Sequence, residues 1–238
     1  MWLWMVAALA AYFVKGLCGF ASTIVFGTVL GFSVTNAEIS PVDCLFTIFS
    51  NSIMSWRGRK YLKSEIILPC AVIMVVFSIV GTLFLKNTDA HIIKLIFGLV
   101  VIFVGVNLLI RDIRGTRKKT SKIVELISLI TAGVMTGLYG ISVLTSVYLS
   151  QRIDDANEFK ANLSCIFLFE GLVRVISYTL LGIITVASLK TAALILPCML
   201  IGLFAGMKCA NVLDPVLAKR VVLVMLMISG LALVLATL

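Results

Sequence analysis

The chain predicts an all-α polytopic membrane protein: two inverted repeats of four hydrophobic segments, the first of each a broken or re-entrant helix hairpin. Three observations carry this reading. Of the 238 residues, 61% are hydrophobic and the mean hydropathy is +1.15; a soluble domain is usually about half apolar and could not hide this much apolar surface inside itself. Apolar stretches matching a bilayer core, which takes ~20 helical residues, recur along the chain. Motifs of the first half also return in the second at nearly constant spacing.

The apolar segments are 1–33, 37–56, 66–85, 92–110, 123–150, 162–185, 188–208 and 219–238. The first opens "MWLWMVAALAAYF", with no Lys or Arg before its apolar run and no clear cleavage site after it. It is therefore expected to remain in the mature protein. Short connectors follow, the most basic being "RDIRGTRKKTSK" at 111–122. The expected organisation is one membrane domain over 1–238, with a first repeat at 1–113, a basic cytoplasmic linker at 114–122 and a second repeat at 123–238.

The repeat rests on particular residues. Gly16-Leu17-Cys18-Gly19 matches Gly137-Leu138-Tyr139-Gly140 at an offset of 121. Leu68-Pro69-Cys70 matches Leu196-Pro197-Cys198 at 128, and Gly81, Asp89, Lys94 and Gly105 match Gly206, Asp214, Lys219 and Gly230 at 125. Such internal symmetry marks many secondary transporters.

Segments 1–33 and 123–150 are the longest and are equivalent in the repeat. A straight helix of ~30 residues would be ~45 Å long, against a ~30 Å core. Each carries GLxG near its centre, and glycine weakens a helix by ~1 kcal/mol relative to alanine. Two forms remain open: a re-entrant hairpin of two half-helices, or one kinked span. Loop charge favours the hairpins. With hairpins, connectors 57–65, 111–122, 151–161 and 208–220 share a side and hold fifteen Lys/Arg, against three opposite. With eight full spans the division is eleven against seven. The positive-inside rule prefers the sharper asymmetry, with both termini periplasmic. Half-helix N-termini carry partial positive charge and bind anions. Two such turns meeting at mid-depth would cradle an anionic substrate.

The net charge of +9 gathers in these short loops, so it does not imply nucleic acid. The six cysteines fall in or at the ends of apolar segments, without CxxC or Cys/His spacing, so no metal or disulfide framework is expected. His91, the one histidine, is a poor basis for a catalytic triad. No Walker A, HExxH or GxSxG motif occurs, so neither direct ATP use nor an intramembrane enzyme is indicated. No cofactor is implied.

The glycine motifs and the run "LPCMLIGLFAGMKCANVLDPVLAKRVVLVMLMISGLALV" at 196–234, with Pro197, Gly202, Gly206, Arg220 and Gly230, resemble the TauE/SafE family of sulfite and organosulfonate exporters. The first-half counterpart runs from Pro69 through Gly81 to Gly105. The chain departs from the family's glycine-rich continuation: "FASTIVFG" and "ISVLTSVYL" put Ser22, Thr23, Ser142 and Thr145 there. The resemblance implies transport of small sulfur-containing anions across a bacterial inner membrane, in the export direction and coupled to protons. A homodimer is compatible with it. The alternative is a membrane assembly protein of the same fold that does not transport.

Polar residues within spans are costly and need a reason. Glu170, Arg174, Ser177 and Tyr178 share one helical face. Arg174 is expected to fork a sulfonate or sulfite oxygen pair, or else to form a static pair with Glu170. If the anion displaces Glu170, that carboxylate takes up a proton; Glu170 and Asp43 are the expected coupling groups. In 37–56, Asn51 is the site candidate, while Thr47, Ser50 and Ser55 are read as interhelical hydrogen bonders. Lys15, just before the first GLxG, either attracts the anion or snorkels to an interface. The expected substrate-binding set is Lys15, Gly16, Gly19, Ser22, Thr23, Asn51, Gly137, Gly140, Ser142, Thr145 and Arg174.

Overall fold

The computed structural model describes residues 1–31, 33–85, 106, 122–139, 143–150, 152–153, 155–210 and 212. The expected segment 219–238, all of 92–110 but residue 106, nearly all of the 114–122 linker, and Gly140 and Ser142 lie outside these residues. The elements are α1 (Trp2–Cys18), α2 (Ser22–Gly31), α3 (Asn36–Arg57), a 3-10 turn (Arg59–Tyr61), α4 (Ser64–Leu85), α5 (Lys122–Tyr139), α6 (Val143–Ser150), α7 (Ala156–Leu180) and α8 (Val186–Ala210). Every regular element among the described residues is helical. Three are long and apolar enough to cross a membrane: α7, α8 and the Ser64–Thr82 part of α4. On α4, Leu68, Val72 and Val76 lie one turn apart and are all exposed, a ridge that lipid satisfies.

The first long segment breaks where its glycines predict. Gly19 caps α1 in the left-handed region at φ 92°, its N–H bonded to Lys15 O. Ala21 follows at φ 70°, a conformation that costs an L-residue roughly 1–2 kcal/mol. α2 then doubles back along α1. The Phe26 ring lies 5.8 Å from Trp4 and 6.5 Å from Tyr12, whereas in one continuous helix Trp4 and Phe26 would be ~33 Å apart. The turn sits near the start of α7 and not at its middle. Phe20 meets Phe159 at 6.3 Å, and a Cβ on Gly19 would come within 3.1 Å of Lys160 Cγ. α1 runs unbroken for 17 residues, ~25 Å, so its tip travels well past mid-depth.

The second long segment behaves alike. Gly133 and Gly137 of α5 abut Met74 and Ser78 of α4 in ascending order. In α6, Thr145 bonds Met74, and Tyr148, further along, lies in the same core cluster beside Cys70, descending α4 as the chain advances. α6 therefore returns against α5.

Helix crossings repeat. Gly206 of α8 abuts Phe13 O of α1, and Gly81 of α4 abuts Val134 O of α5. Gly16 abuts Leu203 O, and Gly137 abuts Ser78 O. Each contact maps onto its counterpart with offsets of 121 on α1 and α5 and 125 on α4 and α8. A methyl at any of these glycines would overlap the partner's backbone. The first helix of each half thus packs in parallel on the third segment of the other half.

Two apolar cores result. One joins α1, α2, α3 and α8 through Tyr12, Phe26, Phe46 and Met199. The other joins α4, α5, α6 and α7 through Met74, Leu129, Leu149 and Ile166. The seam between them is α3 against α7, which run antiparallel: Ser40 meets Tyr178, Cys44 meets Arg174, Thr47 meets Gly171 and Gly58 meets Ala161. At one end of the seam, Lys63 pairs with Glu158 at 2.6 Å, and Asn162 joins Tyr61 O to Lys63 N. The basic 57–65 connector and the start of α7 therefore share one end of the molecule. Asp155 caps that end of α7 by accepting from the N–H groups of Asn157 and Glu158, so α7 begins six residues before the expected 162.

Candidate functional site

Four ionisable side chains are buried in the interior: Asp43, Glu170 and Arg174 along the seam, and Lys15 on α1. The α3–α7 register sets Asp43 and Cys44 level with Arg174. Arg174 Nη2 lies 3.5 Å from Asp43 Oδ2, with the side chains 1% and 2% exposed. Its Nε donates to Cys44 Sγ at 3.2 Å, and Nη1 reaches Thr136 O at 3.5 Å. The guanidinium also stands 5.7 Å from the centre of the Tyr178 ring, whose hydroxyl pairs with Ser40 at 3.1 Å. Arg174 therefore draws on α3, α5 and its own helix.

Asp43 is the second hub. Tyr12 of α1 donates to Oδ1 at 3.3 Å and Thr23 of α2 donates to Oδ2 at 2.8 Å. The hairpin is thus tied to the ion pair from both its arms. Glu170, one turn from Arg174, is not its ion-pair partner: it accepts from Ser78 of α4 at 2.9 Å. The static Glu170–Arg174 pair is replaced by Asp43–Arg174, because the antiparallel register offers Arg174 a carboxylate from across the seam.

Lys15 is 2% exposed, so it does not snorkel. Its Nζ stands 5.7 Å from the centre of the Tyr12 ring, and among the described residues it makes no hydrogen bond or ion pair. Arg174 Nη2 has no hydrogen-bond partner either. Two buried basic side chains therefore hold donor capacity that the described residues do not use. Leaving buried donors unsatisfied is expensive, and an oxyanion is the kind of ligand that satisfies such donors.

The other expected residues fall elsewhere. Ser22 is buried beside Tyr12, next to the ion pair. Gly16 and Gly137 are occupied by the helix crossings, and Gly19 by the turn on Lys160. Thr145 donates to Met74 in the second core. Asn51 is fully buried on α3, and neither amide atom has a partner among the described residues. Tyr12, Cys44, Ser78 and Thr136 were not expected. Thr136 had one signal: it precedes Gly137 as Lys15 precedes Gly16.

A comparison decides the family. The model of the family described as "Sulfite exporter TauE/SafE" matches residues 4–233, nearly the whole chain. The chain belongs to the TauE/SafE family. No curated protein and no solved structure matches it. As a TauE/SafE member it is a membrane transporter of the sulfite-exporter type and not an enzyme. Among the described residues no group of His, Cys, Asp and Glu is arranged to hold a metal, so the site is read on its charges and hydrogen bonds.

Proposed function

We propose that this TauE/SafE member is a secondary transporter that exports sulfite, an organosulfonate or a similar small sulfur oxyanion, with proton coupling. The observation that carries the proposal is the pair of under-used buried cations, Lys15 and Arg174, flanking Asp43. The anion binds between them, forked by the guanidinium, and displaces Asp43. Asp43, released from the guanidinium, keeps its donors Tyr12 and Thr23 and is the group to which the coupled proton is assigned. Glu170 stays with Ser78 and shapes the local field.

The architecture fits two inverted repeats, 1–113 and 123–238, with α1–α2 and α5–α6 as re-entrant hairpins. Support comes from the doubled-back hairpins, the antiparallel seam and the basic connector beside the start of α7. A parallel repeat of kinked spans would set 57–65 and the start of α7 at opposite ends. In an inner membrane, the basic end faces the cytoplasm and the termini the periplasm.

Proteoliposomes test the function. Sulfite efflux should be driven by an imposed pH gradient, and Asp43→Asn should remove that response while sulfite still binds. Equal efflux from protein-free vesicles would defeat transport, and an unchanged pH response in Asp43→Asn would defeat the coupling role. Topology is tested by impermeant thiol labelling of intact cells. A cysteine added after Leu238 should label from outside and one at Thr116 should not; the reverse pattern overturns the orientation.

A further inference from the structure

On α3, Asp43, Thr47, Asn51 and Ser55 fall at every fourth position and form one stripe, on which Asp43 and Thr47 meet Arg174 and Gly171 of α7. Thr47 and Asn51 were weighed at the sequence level as a hydrogen-bonding surface and a substrate contact, yet neither finds a partner across the seam. Both Asn51 amide atoms and Ser55 Oγ are buried and unpartnered among the described residues, and so is Ser164 Oγ of α7; Thr47 Oγ1 also lacks a partner in hydrogen-bond geometry and stands beside Tyr12. The register sets Ser164 opposite Ser55. Ser50, off this stripe, instead returns its proton to Phe46 O and Thr47 O. Buried hydroxyls and amides are almost always satisfied, and each unpaired group is a standing cost. Four such side chains along one seam, with none on the neighbouring turn face, point to polar occupants of that seam.

We propose that the α3–α7 seam from Thr47 to Ser55 and Ser164 is a hydrated transit path joining the Asp43–Arg174 centre to the basic end. Its occupants are water and, in passage, the small oxyanion; this rests on the transport reading above. The stripe offers neutral donors, so it can hold an anion's oxygens without trapping it as a second arginine would. The Asn51 carbonyl and the hydroxyl lone pairs require donors in turn, which water supplies and an anion alone does not. The path begins beside Gly171, which presents no side chain to Thr47; a Cβ there would make ordinary contacts, 3.5 Å from Ile48 and 3.7 Å from Thr47. It closes at Gly58, where a Cβ would lie 2.5 Å from Ala161 Cβ. Because α3 and α7 belong to different cores, parting the helices at Gly58–Ala161 opens the path to the basic end without breaking either core.

Water access is measurable without a substrate, so its failure is distinct from failure of the transport reading. In protein whose native cysteines are replaced, Thr47→Cys and Ser55→Cys are treated in inverted membrane vesicles with an impermeant methanethiosulfonate reagent. Both should react at least ~10-fold faster than the lipid-facing control Val72→Cys, because the reactive thiolate forms only where water solvates it. Reaction no faster than the control would overturn the path. A second measurement uses otherwise native protein. Thr47→Val should leave the melting temperature unchanged or lower it if the hydroxyl is hydrated. A raised melting temperature would mean a dry, unpaired hydroxyl and would also overturn the proposal.

Discussion

The two hairpins share a scaffold but not a chemistry. α1 crosses α8 on Gly16 and Gly206 as α5 crosses α4 on Gly137 and Gly81. Just before the first glycine of each motif, however, stands Lys15 in one and Thr136 in the other. Lys15 brings a buried charge to the centre, whereas Thr136 offers a backbone oxygen to Arg174 and turns its hydroxyl back on Ala132 O. Backbone contact constrains both halves equally because each must close the same crossing. The proposed anion centre has no such requirement and draws unlike groups from the two halves. Symmetry here belongs to packing, and function lies where it is broken.

That contrast is most sharply tested at Arg174. Arg174→Gln should lose transport and destabilise the protein by about 3–5 kcal/mol, since Asp43 would remain as an uncompensated buried charge. Thermal unfolding of purified protein checks this, and Asp43→Asn in the same chain should recover part of the loss. Additive effects would mean that the two side chains are not coupled. Gly16→Leu and Gly137→Leu should come next. Each overpacks a crossing, at ~1–3 kcal/mol or more, and the two costs should agree within about 1 kcal/mol if the crossings are equivalent. A large inequality would break the symmetry of the scaffold.

Lys15→Thr copies the second half into the first. It should weaken sulfite binding and leave stability unchanged or slightly raised, because an unpaired buried cation is removed. Isothermal titration and a melting curve separate the two effects; unchanged affinity would remove Lys15 from the site. The smallest effect is expected at Gly171→Ala. A Cβ there makes ordinary contacts and gains up to ~1 kcal/mol of helix propensity, so melting should shift by only a few degrees upward.

The parts legible from sequence were those with local causes. GLxG located the first break because Gly19 must adopt a left-handed cap; the matched glycines suggested a repeat, but not that they form the helix crossings. Loop charge correctly set 57–65 beside the start of α7. The partner of Arg174 was not legible: helical spacing shows Glu170 one turn away, but nothing local reveals the register of α3 on α7 that presents Asp43. The depth of the first turn was missed for a related reason. Segment length shows that α1 must end, not how far it has travelled along α7. Tyr12 and Ser78 look like ordinary core residues until the helices carrying them are placed.

The crossed packing also governs how the chain can be made. α1 leaves the ribosome before the other described helices, but the glycine face it needs belongs to α8, close to two hundred residues later. Until then Gly16 and Phe13 have no counterpart, and the hairpin must wait beside an unfinished bundle. Closure of so distant a contact is slow and leaves a long interval open to misassembly. α5, by contrast, finds α4 already synthesised. The second hairpin therefore matures at once and the first matures last, so nascent chains truncated before 186 should hold the α4–α5 crossing while α1 remains free to exchange.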